Sequence, residues 1–329
     1  MAALTSLDQA ELAEWLPQYG VGELSDFQRI STGIENSNYF VSTTDTRQVH
    51  QLVVTILEQN YPSRDLLVPL ASTLQQAGLP VPKILPTKGG QSVVTLAGKP
   101  AILSTRLPGA HPVNPTSGQC AAVGRFLARF HIAGQGARNH ANLFVRDLDW
   151  LQNNAEQVAS YLPFADQALL TRSLGYLKSL LTRKDLAALP TGVVHGDLFR
   201  DNVLFNERGL SGVLDFHHAG EYFSLFDIAV AVNDWCTDSS GTLDTERCVP
   251  LLQAYHAERA LTTDELWFLP LFMIYSATAF WLSRLRSKYP PPGQPVEARK
   301  NPEEFRVIVE KRCGQFFYLD PRVLEPSAG

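Results

Sequence analysis

The sequence predicts an α+β chain of two lobes, a small β-rich one followed by a larger α-rich one. Three observations carry that expectation. Alternating apolar runs bounded by turn residues crowd the first third of the chain. From Ser117 onward the apolar spacing changes to that of helices. And 329 residues, 45% of them apolar, suffice to fill two cores. The boundary falls after residue 107, so 1–107 form the first lobe and 108–329 the second.

Residues 8–17 read as a short helix that ends before Gly20. "FQRISTGIENSNYFVSTT" reads as strand, turn, strand, with a polar loop at 31–38. "QLVVTILE" is a third strand between "TTDTR" and "QNYP". "SRDLLVPLASTLQQAG" has helical spacing and stops at Gly78, with Pro69 marking a kink or a start. "QSVVTLAGKPAILSTRLPG" supplies two more strands around a turn at Gly98-Lys99. The expected first lobe is therefore a five-stranded antiparallel sheet with one helix, and a hinge follows near 104–108.

Beyond the hinge, "SGQCAAVGRFLARFHIAG", "DWLQNNAEQVASYLPF" and "DQALLTRSLGYLKSLLTRK" read as helices. Short strand-like runs follow in "VVH", "NVLFN" and "LSGVLDF", and helices fill most of the remainder. "KYPPPGQPVE" is a proline-rich surface loop. "LWFLPLFMIYSATAFWLS" is uncharged and just long enough to cross a membrane. A T-x-x-E capping box at Thr262–Glu265, an internal Pro270 and the closing Arg284, Arg286 and Lys288 favour a buried helix instead.

The net charge of −5, without any basic block, argues against a nucleic-acid partner. The four cysteines, at 120, 236, 248 and 313, fit no zinc spacing and read as reduced thiols. The acidic N-terminus lacks the basic start and apolar core of a signal peptide, so the expected location is the cytoplasm.

The chemistry concentrates in "VVHGDLFRDNVLF", residues 193–205, where two apolar runs enclose His195, Asp197, Asp201 and Asn202. With Asp215 at the end of "SGVLDF", the spacing is H-x-D-x-x-x-x-N…D. Phosphoryl transfer asks for this set: one carboxylate to receive the proton of an attacking hydroxyl, and an amide and a second carboxylate to hold Mg²⁺. His195 reads as a packed residue that orders the loop backbone.

In these motifs the sequence resembles the protein-kinase-like fold, and within it the aminoglycoside phosphotransferase and choline kinase superfamily. The resemblance implies Asp197 as catalytic base, Asn202 and Asp215 as Mg²⁺ ligands, and Asp227 as a buried acid that holds the catalytic loop; an ordinary helix N-cap is the other reading of Asp227. Phe216-His217 after the metal aspartate departs from the protein-kinase glycine. Only "FHHAGEYFSLF" separates Asp215 from Asp227, which leaves no room for a peptide-docking segment.

The resemblance also implies ATP between the lobes. The loop over the phosphates is Thr32 to Asn38, with Gly33, Asn36, Ser37 and Asn38 as its binding residues. The hinge near Ser104 to Leu107 meets the adenine. The lysine expected on the third strand is absent, and Thr55 stands there.

Phrases along the chain, "GIENSNYFVSTT", "GLPVP", "HGDLFRDNVLF" and "FDIAVAVNDWC" among them, resemble the bacterial homoserine kinases of this fold, which share a threonine at the lysine position. That implies phosphorylation of the hydroxyl of L-homoserine on the way to threonine. A pocket for this acceptor pairs an ammonium and a carboxylate beside Asp197, with Asp234 for the former and Arg200 or Arg284 for the latter. Other acceptors (choline, a sugar, an aminoglycoside) and a nucleotide-binding pseudokinase scaffold are the alternatives. No membrane partner is expected.

Overall fold

The computed structural model describes residues 5–30, 36–59, 64–135, 146–291 and 300–324. The first lobe is one antiparallel sheet of β1 (Glu23–Ile30), β2 (Ser37–Thr44), β3 (Val49–Ile56), β4 (Ile84–Leu85), β5 (Val94–Leu96) and β6 (Lys99–Thr105). Their order is β1-β2-β3-β6-β4, with β5 also pairing β6. Six strands thus replace the expected five. The additional one, β4, pairs Ile84 with Ser104 and Leu85 with Leu103, and two residues are too few to show an alternating pattern. The lobe also carries two helices, α1 (Gln9–Trp15), the short helix expected over 8–17 but not counted with the sheet, and α2 (Arg64–Gln76).

The alternation of side chains along the strands decides what each face meets. Tyr39, Val41, Leu52, Val54, Ile56, Ala101 and Leu103 pack against Leu12, Trp15, Leu16 and Tyr19, so α1 and the turn after it cover one face. Asp8 caps α1 through a capping box with Glu11, and Gly20, at φ +70°, ends the following turn. The opposite face carries Asn38, Thr55, Ile102 and Ser104, because Asn38 pairs with Thr55, Thr55 with Ile102 and Val53 with Ser104. Ile102 joins the apolar cluster that contains α2 and the second lobe, so this face looks into the cleft.

Pro69 lies inside α2, where it withdraws the N–H that the Asp65 carbonyl would otherwise receive. The β5–β6 turn falls on Ala97 and Gly98, at φ +48° and +75°, and Lys99 already belongs to β6. The chain leaves the sheet after Thr105 and is pinned to the second lobe by a bridge between Ala110 and Phe205. Gly109 makes that approach possible: at φ +128°, a Cβ there would lie 2.5 Å from Ser211 Oγ and 2.7 Å from the Phe205 carbonyl oxygen.

The second lobe contains α3 (Ser117–Gly134), α4 (Leu148–Ala159), α5 (Phe164–Leu181), α6 (Ser224–Trp235), α7 (Thr245–Glu258), α8 (Thr263–Lys288) and α9 (Glu303–Gly314). Two antiparallel pairs lie among them, β7 (Thr191–Val194) with β10 (Gly220–Phe223) and β8 (Val203–Asn206) with β9 (Gly209–Val213). Among the described residues α8 alone is long and apolar enough to cross a membrane, yet 78% of its apolar window is buried inside the protein. Its capping box joins Thr262 and Glu265 as expected. All four cysteines are buried and free.

Candidate active site

Residues 195–202 form the loop between β7 and β8. A buried acid holds one end of it. Asp227, wholly buried, accepts the His195 N–H at 2.6 Å and, with its other oxygen, the Gly196 N–H at 2.8 Å. It sits in the first turn of α6 and not at the N-cap, which is Phe223. His131 of α3 backs it, with Nε2 3.2 Å from Asp227 Oδ2 and Nδ1 2.7 Å from the Tyr255 hydroxyl. His131 escaped the sequence reading, although a lone histidine on the apolar face of a helix was its signal.

His195 supports the loop from within. Its Nε2 lies 3.0 Å from the Leu214 carbonyl oxygen, and its Nδ1 accepts the Asp197 N–H at 3.3 Å. The ring packs against Phe216, with centroids 4.9 Å apart. Burial lowers its pKa, which keeps the imidazole neutral for both bonds.

The last turn of α6 holds the other end. Trp235 Nε1 donates to the Leu198 carbonyl at 3.0 Å. Asp234 Oδ2 accepts the Arg200 N–H at 2.7 Å and its Nε at 3.2 Å, while Arg200 Nη1 reaches the Val113 carbonyl at 3.2 Å. Arg200 and Asp234, expected at opposite ends of an acceptor, are thus bonded to each other. Arg284 is engaged too: its Nη1 donates to the Asn301 carbonyl at 2.8 Å and to Glu304 at 2.5 Å.

Between these anchors, Asn202 Nδ2 donates to the Asp197 carbonyl at 2.8 Å and to its carboxylate at 3.0 Å. Burial pushes the Asp197 carboxyl up to about 7, against the opposing charges of His218, Lys300 and Arg146. The Leu214 N–H donates to the Asn202 carbonyl at 2.8 Å and so ties the end of β9 to this loop. The next residue, Asp215, takes φ +62°, in the left-handed region that Asp and Asn tolerate better than other side chains.

The amide oxygen of Asn202 is free of the Asp197 bonds, and the half-buried Asp215 directly follows Leu214, whose N–H bonds the Asn202 carbonyl. Both are hard oxygen donors, a set that fits Mg²⁺. Among the described residues no group of three or more His, Cys, Asp or Glu could hold a metal, so a cation here would depend on Asn202, Asp215 and oxygens from its ligand or water.

On the first lobe, Gly33 lies outside the described residues. Asn36 Oδ1 accepts the Glu58 N–H at 3.2 Å, and Ser37 Oγ donates to Glu58 at 2.5 Å. Thr55 Oγ1 donates to Asn38 Oδ1 at 2.7 Å. Ser104 is buried beside Val53, and Leu107 packs on β9, where a Cβ at Gly212 would lie 2.8 Å from its Cδ1. One carboxylate near the expected phosphate loop went unnoticed in the sequence. Glu58 is bonded to Ser37, to the Thr5 N–H at 2.7 Å and to Lys99.

The model of the phosphotransferase enzyme family matches residues 26–261. The chain is 39% identical to a homoserine kinase of Cupriavidus necator over 322 residues, which are 95% of this chain and 97% of that one. It is 39% identical to a homoserine kinase of Ralstonia pickettii, over 95% and 96% of the two chains. The fold resembles an amicoumacin kinase solved with AMP-PNP, Ca²⁺ and its ligand, at a TM-score of 0.67 and 16% identity over 93% of this chain and 94% of that one.

Proposed function

The chain belongs to the phosphotransferase enzyme family and, within it, to the homoserine kinases; on that premise we propose that it transfers the γ-phosphoryl group of ATP to the hydroxyl of L-homoserine, giving O-phospho-L-homoserine for threonine synthesis in the cytoplasm. The observation that carries this reading is the catalytic loop, fixed at one end by Asp227 and at the other by Asp234 and Trp235, with Asp197 half-buried between them.

In this reading Asp197 receives the acceptor hydroxyl, aligns its oxygen with the γ-phosphorus and takes its proton as the bond forms. The Asn202 amide keeps the carboxylate turned toward that hydroxyl. Asn202 and Asp215 would hold Mg²⁺, which supplies positive charge to the phosphate oxygens when bound. The backbone and the Asn38 amide around residues 36–38 meet the phosphates. Thr55 stands where a lysine would otherwise reach, and steadies Asn38 instead. The hinge from Ser104 to Leu107 faces the adenine. His195 and Asp227 take no part in the bond changes and position the loop.

The test is ADP release with Mg-ATP and L-homoserine, choline, kanamycin, L-serine or no acceptor, with Asp197→Asn as the control. Release that depends on L-homoserine and vanishes in the control is expected. Release with another acceptor would discard the substrate, and release that persists in Asp197→Asn would discard the base.

A further inference from the structure

A wall of three aromatic rings stands beside the catalytic loop. Phe199 belongs to the loop itself, Phe280 to α8 and Phe305 to α9. Phe199 and Phe280 meet edge to face with centroids 4.5 Å apart, and Phe305 lies 5.8 Å from the first and 5.4 Å from the second. Each ring carries a cation. Lys300 Nζ lies 5.4 Å from the Phe199 centroid, Arg146 Cζ 4.2 Å from that of Phe280, and Arg284 Cζ 4.5 Å from that of Phe305. Every one of these groups comes from the second lobe, away from the sheet that receives the nucleotide.

The cations differ in how firmly they are committed. Arg284 is locked to Glu304 and to the Asn301 carbonyl. Lys300 pairs with Asp201 at 2.7 Å, but the Asp201 side chain is 55% exposed. An ion pair with so exposed a partner contributes little and exchanges readily for another anion. Arg146 is placed by its backbone, since the Tyr275 hydroxyl of α8 donates to its carbonyl. The adjoining Asp147 caps α4.

The charges of Lys300 and Arg146 both reach Asp197 and stabilise its ionised form. That effect keeps the base ionised. Two cations on rings packed beside the loop also suit an acceptor that carries its own negative charge. In a hydroxy amino acid a short carbon chain joins hydroxyl and carboxylate, so a group that grips the carboxylate must stand close to the base. Lys300 and Arg146 do, on rings that start two residues from Asp197.

We propose that Lys300 and Arg146 bind the α-carboxylate of the acceptor and determine its specificity, in the place first assigned to Arg200 and Arg284. The inference rests on the reading of the protein as a kinase of a hydroxy amino acid. The Phe199–Phe280 pair is the apolar floor that holds both cations at the right height. Arg200 and Asp234 keep the loop in place, and Arg284 braces α8 against α9.

The experiment compares two acceptors that differ by the carboxylate, L-homoserine and 3-aminopropan-1-ol. The second is read as a substrate, or as a competitive inhibitor where its turnover is too slow. In Lys300→Met and Arg146→Met the preference for L-homoserine, as the ratio of kcat/KM or of binding constants, should fall by about 10- to 100-fold, the worth of a charge-assisted bond. The loss should appear in the L-homoserine KM, and the ATP KM should stay in place. Lys300→Arg should restore most of the preference. An equal loss for both acceptors, or a rise in the ATP KM, would overturn the assignment.

The unsubstituted protein gives a second test, independent of whether the variants fold. L-2-Aminobutyrate, which keeps the carboxylate, should compete with L-homoserine far better than 1-aminopropane does. Equal competition would overturn the proposal. Absence of any L-homoserine turnover in the unsubstituted protein would instead remove the reading beneath it.

Discussion

The Asp227 carboxylate and the His195 backbone meet at 2.6 Å in a wholly buried setting, and the second carboxylate oxygen takes the Gly196 N–H. Two backbone donors converge on two acceptors there, and His131 Nε2 approaches the first of those oxygens at 3.2 Å. Asp227→Asn replaces one acceptor with an NH₂ group, so one buried N–H faces another donor. A buried donor left unsatisfied costs about 1–3 kcal/mol. Urea unfolding should show that loss as a lower midpoint with an unchanged slope. Because the loop carries Asp197, kcat should fall further than stability predicts, by about tenfold or more. A variant with normal kcat would show that the loop keeps its shape without this anchor.

Asp215 combines a chemical role with an unusual backbone. Its φ of +62° is tolerated by Asp and Asn and strained for most side chains. Asp215→Asn and Asp215→Ala should both lower turnover by about 100-fold or more, since each removes the charge expected at the metal. Only the alanine variant should also lose stability, by about 1 kcal/mol, read from the denaturation midpoint. Asn202→Ala should regain part of its rate as Mg²⁺ is raised, while Asp197→Asn should not. Recovery of Asp197→Asn by Mg²⁺ would exchange the roles.

The parts of the site that are local in sequence were legible. His195, Asp197 and Asn202 lie on one loop, and Asp215 ends the strand after it, so their spacing alone suggested oxygen ligands around a phosphoryl group. The cleft face of the sheet was legible in outline, because strand alternation decides which residues share it. Lys300 and Arg146, the proposed carboxylate ligands, were not singled out, because segments far apart in the chain bring them to Phe199 and Phe280. Neither residue type nor spacing marks them in the sequence. The partnership of Arg200 with Asp234 was hidden for the same reason: two charged residues near a site read equally well as ligands for a substrate or for each other. The strand β4 was missed because two residues carry no period.

Gly124 is where α3 meets α7. A Cβ on Gly124 would lie 2.0 Å from the Leu251 carbonyl oxygen and 2.9 Å from its carbon, and backbone atoms cannot swing aside. Gly124→Ala must push the two helices apart. Overpacking of this kind costs about 1–3 kcal/mol, and the displacement would reach Tyr255 on α7 and His131 on α3. The expected result is a lower thermal midpoint together with a reduced kcat, since His131 backs Asp227 and Tyr255 holds His131. Gly175, where an added Cβ would meet no neighbour within 4 Å, is the control: Gly175→Ala should be neutral or slightly stabilising.

Glu58 joins Thr5 to Ser37 of the expected phosphate loop, and its protonation has a predictable sign. Burial raises its pKa, but bonds from Lys99, Ser37 and Thr5 outweigh burial and hold the carboxyl down at about 2, below the ordinary 4.5. A carboxylate whose pKa is depressed by folding stabilises the folded state fully above its unfolded pKa. That contribution fades as pH falls through the interval between the two values. Glu58→Gln should therefore be less stable than the unsubstituted protein at pH 7, and the gap should narrow steadily as pH drops below 4.5 toward 2. Ser37 lies at the end of the expected phosphate loop and donates to Glu58, so the same variant should raise the ATP KM. Urea midpoints measured across this range, with the difference between the two proteins as the readout, isolate Glu58 from the other acids. A gap that widens on acidification would mean that Glu58 is held in its neutral form, with Lys99 as no true partner.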